Sequence, residues 1–254
     1  MISKLSRSFS FTRKILGQMD TNMYLLDFGN RCLIVDPADD SQSIINLVSK
    51  TCPKAKPDIF LTHGHFDHIL AVPSLCDYYK NITIFASELE LPIFNDSYNN
   101  LSREFRKTPI TLEKYMKNMK FVKEGEQLNF NNETLDIIGL ACHTPGSIGV
   151  YSKKQQCAFV GDTLMLESIG AVTFIMADDD LMMKNIREKL MKLDDETKIY
   201  PGHGDETTIG HERTENVFVS GDQMTAEKKI SKMLSALSLS LLEPKVTDFL
   251  DHCV

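Results

Sequence analysis

The hydrophobic positions of the chain fall into short runs that are separated by polar turns. Two apolar runs occupy residues 22–36, on either side of the turn Phe28–Arg31, and an Asp-Pro pair ends the second run. This arrangement predicts a β-hairpin. Upstream, Phe9, Phe11 and Ile15 have polar residues between some of them, which predicts an earlier strand.

Helical spacing alternates with these runs. Ser41 stands before an apolar pattern at residues 44–50 that suits a helix capped by the serine hydroxyl. A run at residues 58–62 predicts the next strand. Further helical patterns lie at residues 68–80, with a kink at Pro73, at residues 181–193 and at residues 226–242. Strands that alternate with helices in this way predict a mixed α/β fold.

Residues 95–120 are rich in Asn, Lys and Glu and lack clean periodicity. They are therefore predicted to make a long surface excursion, of the kind that often forms a lid or a binding loop. No internal repeat, low-complexity tract or linker divides the chain. We predict a single domain over residues 1–254, with a short helical C-terminal extension at about 222–254.

Composition narrows the class of partner. The 254 residues are 42% hydrophobic and 25% charged, and the net charge of -7 disfavours a nucleic-acid partner, whose binding depends on clustered Lys and Arg. The six cysteines are scattered without a C-x-x-C pair, so reduced thiols are expected. No apolar run approaches the roughly 18 residues of a membrane helix, so no membrane partner is expected either.

The first 19 residues allow two interpretations. They contain four basic residues, several serines and no acid, as organelle-targeting presequences often do. Alternatively, they form the first strand after a short ragged end. A signal-peptide hydrophobic region is lacking, and we expect a cytoplasmic protein, with a mitochondrion-type organelle as the alternative.

A histidine or an aspartate stands just beyond each of four apolar runs. DIFLT leads to His63, LDIIGLAC to His143, CAFVG to Asp162 and KIYPG to His203. Loops at strand ends often present functional groups, because the strand fixes the position while the loop frees the side chain. We therefore expect these side chains to share one site.

The segment THGHFDH at residues 62–68 is the densest part of this pattern. Imidazole and carboxylate groups are suitable ligands for zinc or iron. His63 and His65 can point the same way in an extended turn around Gly64, while Asp67 and His68 begin the next helix and point to a neighbouring position. A lone histidine would more often be a core residue, but five of the seven histidines belong to the strand-end set. The sequence therefore predicts a site that can serve two adjacent metals.

These motifs resemble the metallo-β-lactamase superfamily over about residues 15–220. The resemblance implies a four-layer αββα sandwich, with two sheets face to face and helices outside. It also implies two divalent metal ions, with zinc expected and iron or manganese as alternatives. One ion would be held by His63, His65 and His143, the other by Asp67, His68 and His203, with Asp162 bridging both.

Within that superfamily the chain looks most like the glyoxalase II branch, also called hydroxyacylglutathione hydrolases. The similar segments are HTPGS at 143–147, GDTL at 161–164, SIG at 168–170 and PGHGDETTIGHER at 201–213. This implies hydrolysis of a glutathione thioester such as S-lactoylglutathione. Two departures concern the glutathione half of the substrate. Ala171, Val172 and Thr173 replace residues that are charged in many relatives, and only about fifty residues follow His203, where full-length glyoxalase II has a larger helical domain.

The predicted chemistry needs no protein nucleophile. A divalent metal lowers the pKa of bound water from about 15.7 to roughly 7, so a hydroxide is available to attack the thioester carbonyl. The family resemblance also implies a catalytic role for Asp67, as a ligand that hydrogen-bonds the hydroxide. The predicted partner is thus a small-molecule thioester, for which the glyoxalase II resemblance implies a link to glutathione, and the chain is expected to be a monomer or a homodimer.

Other functions remain open. A persulfide dioxygenase of the same superfamily would use one iron, and a hydrolase of another thioester would keep the same ligands. A β-lactamase is disfavoured by the lack of an export signal, and an RNA-processing nuclease by the acidic balance. A non-catalytic binding protein is disfavoured because all seven ligand positions are filled.

Several residues near these motifs are interpreted as structural. Cys142 lies beside a candidate ligand, but no general base is reserved for it. Asp36 and Asn22 are interpreted as strand-end and turn residues rather than members of the site. The acidic run at 178–180 precedes a helix, where carboxylates are favourable. Residues 211–213 are interpreted as a helix start in preference to a contact with a substrate carboxylate.

Overall fold

A computed structural model describes residues 9–171 and 179–220. Two six-stranded sheets pack face to face, and helices cover the outer face of each sheet, which confirms the predicted αββα sandwich. Within these two ranges, no helix has the length and apolar character needed to cross a bilayer.

The first sheet contains the predicted hairpin. Its strands, in spatial order, are β1 (Ser10–Leu16), β2 (Thr21–Asp27), β3 (Arg31–Val35), β4 (Lys56–Phe60), β5 (Ile84–Ala86) and β6 (Met119–Phe121). Strands β1 to β3 are antiparallel, and β3 to β6 are parallel. Strand β1 confirms the strand predicted around Phe11, while residues 1–8 lie outside the described ranges.

The second sheet supplies the remaining strand ends of the site. In spatial order it contains β14 (Thr207–Thr208), β13 (Lys198–Pro201), β10 (Cys157–Gly161), β9 (Ile148–Ser152), β8 (Glu133–Gly139) and β7 (Gln127–Phe130). Only β10 and β13 are parallel to each other. A separate two-stranded ribbon consists of β11 (Leu164–Met165) and β12 (Ser168–Ile169).

Seven α-helices lie within the described ranges. They are α1 (Ser41–Thr51), α2 (Phe66–Ile69), α3 (Val72–Tyr78), α4 (Leu91–Phe94), α5 (Ser102–Phe105), α6 (Asp179–Glu188) and α7 (Ile209–Glu215). Three 3₁₀ turns span Glu88–Glu90, Glu113–Asn118 and Leu190–Lys192. The helix predicted at 226–242 and the extension at 222–254 lie outside the described residues, and the single-domain assignment stays a prediction.

Two helix predictions are corrected. Asp40, not Ser41, caps α1, because its carboxylate accepts a hydrogen bond from the Ser43 amide at 3.0 Å. The pattern at 68–80 gives two helices rather than one kinked helix, and Pro73 lies in the first turn of α3, where a missing N–H costs nothing.

Burial on both faces explains why the strands are almost continuously apolar. In β2, Met23 and Leu25 pack outward against α1 and α3, whereas Tyr24 and Leu26 pack inward against the second sheet. A period of two places successive side chains on opposite faces. Each sheet is therefore packed between the other sheet and a layer of helices, and its strand ends can hold side chains in fixed positions.

Candidate metal centre

All seven predicted site residues meet at one edge of the sandwich. His63 follows β4 through Thr62, Asp162 follows β10 directly, and His203 lies two residues after β13. His143 lies in the loop between β8 and β9. Each loop leaves the end of a buried strand, so the side chains converge. His63 and His203, the two ends of the set, are 140 positions apart in sequence.

Three imidazoles form one group. Potential ligand atoms of His63, His65 and His143 all lie within 4.8 Å of one another. Nε2 of His143 is 2.8 Å from Nδ1 of His65. Each of these residues is at most 5% exposed, so the group is largely shielded from bulk water.

A second group contains a carboxylate and two imidazoles. Oδ2 of Asp67 lies 3.3 Å from Nε2 of His68 and 3.2 Å from Nε2 of His203. Ligand atoms of all three lie within 4.8 Å. His203 is the most accessible of the three, with a quarter of its side chain exposed.

Asp162 stands between the two groups. Its Oδ1 is 3.5 Å from Nε2 of His68, and its Oδ2 is 3.4 Å from Nε2 of His203 and 3.6 Å from Nε2 of His143. One carboxylate thus reaches members of both groups. This is the position that the bridging role predicted for Asp162 requires.

The residues present fit a bound metal. Nε2 of His63, Nε2 of His68 and Oδ1 of Asp162 are buried and have no hydrogen-bond partner in the described chain. Buried polar atoms of this kind are costly unless something satisfies them, and imidazole and carboxylate atoms are the donors that zinc and iron take. Gly202 keeps the space clear, because a Cβ there would lie 2.1 Å from Oδ1 of Asp162.

Burial keeps the three-histidine group neutral. It lowers the pKa of His63 well below its usual value, and the neighbouring His68 lowers it further. Burial and His143 together lower the pKa of His65 to about 3. The pKa of His143 is also lowered by burial, although Asp162 opposes the shift. Neutral imidazole is the form that binds metal, so this group is ready to ligate.

The carboxylates dominate the second group. Burial alone would lower the pKa of His203, but Asp162 and Asp67 raise it to about 10. Against the same desolvation, Asp67 and Asp162 raise the pKa of His68 well above its usual value. The two carboxyl groups are held ionised in return, since His68 and His203 outweigh the burial that would raise their pKa values. In the metal-free chain His68 and His203 therefore hold protons, which a bound metal ion would replace as the partner of the two carboxylates.

Asp36 corrects one interpretation from the sequence. It is 1% exposed and its Oδ2 accepts hydrogen bonds from the Thr62 hydroxyl at 2.7 Å and from Nδ1 of His68 at 2.9 Å. The Thr62 oxygen is in turn 3.0 Å from Nδ1 of His63. Asp36 thus orients two candidate ligands and is a member of the site. The sequence signal for this role is that Asp36 directly follows the apolar run of β3, as the candidate ligands follow theirs.

Asn22 is the second correction. Its side-chain amide donates to the carbonyl oxygens of Pro201 and Gly204 at 3.0 and 2.8 Å, so it pins the loop that carries His203. The adjacent Thr21 hydroxyl donates to Oδ2 of Asp67 at 2.8 Å. The start of β2, in the first sheet, therefore supports both Asp67 and the loop that carries His203.

Other structural interpretations agree with the contacts. The buried Cys142 thiol donates to the Leu140 carbonyl. Glu212 is buried within α7 and accepts hydrogen bonds from the side chains of Thr207 and Asn216. Two members of the acidic run, Asp179 and Asp180, begin α6, and Asp178 lies outside the described residues.

An open cavity of about 490 Å³ leads to the centre. Its apolar wall includes the Phe66 and Phe105 rings, which stack with centroids 5.4 Å apart. Leu101 and Phe105 come from the excursion predicted at 95–120, so part of that segment does line the site. The remaining lining residues are Met19, Asp20, His65, Asp67, His143, Asp162, Met165, Ala171, His203 and Gly204.

Comparisons with known proteins agree with this geometry. A family model described as the metallo-β-lactamase superfamily matches residues 16–203. The chain is 31% identical to hydroxyacylglutathione hydrolase GloC of Haemophilus influenzae over 187 residues, which is 74% of this chain and 86% of the relative. A crystal structure of the B3 metallo-β-lactamase BLEG-1 matches with a TM-score of 0.75 and 30% identity, over 84% of this chain and 100% of that one.

A third match is the crystal structure of TTHA1623 in a di-iron-bound form, with a TM-score of 0.68 and 27% identity over 81% of this chain and 98% of that one. The family match covers far more than half of the chain, and the fold and the converging His and Asp side chains agree with it. The chain belongs to the metallo-β-lactamase superfamily and is similar to its hydroxyacylglutathione hydrolases.

Proposed function

We propose that the chain is a metal-dependent hydrolase of small thioesters. The observation that carries the proposal is the position of Asp162, with its carboxylate between two groups of candidate ligands at the floor of an open cavity. This arrangement suits two cations held close together, which share one carboxylate.

The ligand assignment follows from the two groups. One ion would be held by His63, His65 and His143, the second by Asp67, His68 and His203, and Asp162 would contribute to both. Two bound divalent ions would supply a water molecule acidic enough to act near neutral pH and a Lewis acid for the substrate carbonyl. Zinc is the proposed metal, with iron or manganese as alternatives, because this donor set accommodates all three.

The chain's own groups would direct the attack. The Asp67 carboxylate lines the cavity and is fixed by the Thr21 hydroxyl at 2.8 Å. In this position it can accept a hydrogen bond from the attacking water and set its direction. Asp67 is therefore the proposed catalytic residue.

The lining of the cavity supports attack by water. Among the described residues that line it, there is no Ser, Thr, Cys, Lys or Tyr side chain that could serve as a nucleophile. Covalent catalysis by a hydroxyl, a thiol or an amine needs such a group beside a base. Hydrolysis by directed water needs only the carboxylate and the ligand groups that are present.

The thioester assignment rests on similarity. GloC is named a hydroxyacylglutathione hydrolase, and the motifs HTPGS and PGHGDETTIGHER contain His143 and His203. We propose a glutathione thioester of a 2-hydroxy acid, with S-lactoylglutathione as the substrate to test first. The apolar wall at Phe66 and Phe105 would contact the uncharged part of that molecule.

The test is turnover of S-lactoylglutathione by the purified, metal-analysed chain, followed by loss of thioester absorbance. Oxygen uptake on glutathione persulfide is measured in parallel. The proposal predicts thioester loss that disappears in His65→Ala and persists in Glu88→Ala, a change at an exposed position. Oxygen uptake without thioester loss would assign the chain as a persulfide dioxygenase instead of a hydrolase. No hydrolysis of any thioester would refute the proposal.

A further inference from the structure

Glu90 is a buried carboxyl group that the proposed reaction does not use. It ends the 3₁₀ turn Glu88–Glu90 after β5 and is 1% exposed. Burying a carboxyl group is costly unless hydrogen bonds or opposite charges compensate the lost hydration. Its contacts show which parts of the chain it joins.

One carboxylate oxygen holds the loop after His143. Oε1 of Glu90 accepts hydrogen bonds from the Thr144 hydroxyl and from the Gly146 amide, each at 2.7 Å. Thr144 directly follows His143 in sequence. Glu90 therefore fixes the backbone that carries one of the three imidazoles.

The other oxygen faces the loop between His63 and His65. A Cβ at Gly64 would lie 2.9 Å from Oε2 of Glu90, so this loop and the carboxyl group are in close contact. Burial raises the pKa of Glu90 to about 7, while Thr144 and the amides of Gly146 and Gly64 oppose the shift.

Both loops have glycine where they meet Glu90. A Cβ at Gly146 would lie 2.8 Å from both the amide nitrogen and Oε1 of Glu90. Distances below 3.0 Å are essentially never found for real Cβ atoms. The two glycines thus allow a carboxyl group to stand between the loops, and any change in its size shifts one loop relative to the other.

We propose that Glu90 is a positioning residue for the group formed by His63, His65 and His143. It stands between the two loops and sets the spacing at which their imidazoles converge. The inference rests on the proposed function only in that a metal binds this group. It assigns Glu90 no contact with the substrate or with the metal.

The proposal predicts a loss of metal affinity at one group of ligands. In Glu90→Ala, the first group should bind metal roughly 10- to 100-fold more weakly, the range found when residues that orient metal ligands are removed. The second group, Asp67, His68 and His203, should change by less than about threefold, since Glu90 makes no hydrogen bond to it. Glu90→Gln keeps an acceptor for Thr144 and Gly146 and should restore affinity to within about threefold.

The experiment is a titration of the metal-free full chain with Co²⁺ and Zn²⁺ against a chromophoric chelator. Two binding constants are fitted for each variant, and the Co²⁺ absorption spectrum reports the ligand geometry. Glu88→Ala is the matched control, because it removes an exposed carboxyl group from the same 3₁₀ turn. Thr144→Val, which removes the hydroxyl that donates to Glu90, serves as a second test if Glu90→Ala does not fold.

The outcomes separate this inference from the proposed function. Weakened binding at one site in Glu90→Ala or Thr144→Val, with near-normal binding in Glu90→Gln and Glu88→Ala, supports a positioning role whether or not any thioester is hydrolysed. If a folded Glu90→Ala or Thr144→Val variant had both metal-binding constants and the Co²⁺ spectrum unchanged, the positioning role would be overturned. Loss of thermal stability alone, with normal metal binding, would also overturn it.

Discussion

Replacing Asp36 with asparagine tests how the chain sets the protonation of two ligands. The Thr62 hydroxyl donates to Oδ2 of Asp36, so its oxygen can accept from Nδ1–H of His63. Nδ1–H of His68 donates to the same Oδ2. In the neutral form of each imidazole, which is the form that binds metal, this hydrogen-bond network assigns the proton to Nδ1 and leaves Nε2 for the metal.

Asp36→Asn keeps the shape but reverses part of this network. Oδ1 can still accept from the Thr62 amide, a bond of 2.8 Å in the native chain. The new Nδ2 group can only donate, so it meets the Nδ1–H of His68 donor to donor. This unfavourable contact is removed only if the His68 proton moves from Nδ1 to Nε2 or the His68 ring rotates. Either change takes Nε2 away from the metal position.

The size of the effect follows from changes of this kind in other metal sites. Loss of a residue that orients a ligand typically costs 10- to 100-fold in metal affinity, or about 1.4 to 2.7 kcal/mol. His68 bears the direct change, so the weaker binding should appear at the group of Asp67, His68 and His203. His63 should be affected less, because Thr62 stands between it and Asp36.

The assay is competition of Zn²⁺ between the metal-free chain and a chromophoric chelator, with urea unfolding as the check on folding. Asp39→Asn is the control, because it changes an aspartate in the same loop whose nearest cation is Arg106 at 3.9 Å. It should leave both binding constants within about twofold. Unaltered zinc affinity in a folded Asp36→Asn variant would refute the assignment of the two tautomers.

Further predictions concern the shared carboxylate of Asp162, the space beside Gly202, the cavity wall at Phe105 and the pH dependence of stability. Asp162→Ala should weaken both metal positions in the chelator assay, and loss of only one ion would contradict its shared position between the groups. Gly202→Ala should lower metal affinity at least roughly tenfold, because its Cβ would lie 2.1 Å from Oδ1 of Asp162, and normal metal content would count against this crowding. Phe105→Ala should raise KM roughly fivefold, or about 1 kcal/mol of lost apolar contact, with kcat unchanged; equal kinetics would exclude Phe105 from the substrate site. Burial raises the pKa of Glu90 from 4.5 to about 7, so the folded chain keeps a proton that the unfolded chain releases. The free energy of unfolding of the metal-free chain should therefore fall by up to roughly 3 kcal/mol between about pH 4.5 and 7, and urea titrations of Glu90→Gln should lack this fall.

The fold and the seven candidate ligands could be predicted because their signals are local. Each ligand follows an apolar run within a few residues, and runs that are buried on both faces predict strands of a sandwich. His63, for example, comes three residues after the end of β4, and Asp162 comes one residue after β10. Strand and ligand are thus visible in one short window of sequence.

The supporting residues escaped prediction because their partners are distant. Asp36 meets His68 across 32 positions, and Glu90 meets Gly146 across 56. Neither lies in a metal-binding motif, and a carboxyl group beside a strand end or a turn is more often exposed. The same limit applies to the start of α1, since nothing local favoured Asp40 over Ser41 as the cap.

The central proposal is that this chain hydrolyses a thioester with metal ions held at the strand ends. Its most direct test is the rate of S-lactoylglutathione hydrolysis by the metal-free chain as Zn²⁺ is added in measured equivalents. We expect no turnover without metal, and a rate of hydrolysis that rises until about two ions per chain are bound. Full turnover by the metal-free chain, or none at any level of Zn²⁺, Fe²⁺ or Mn²⁺, would contradict it.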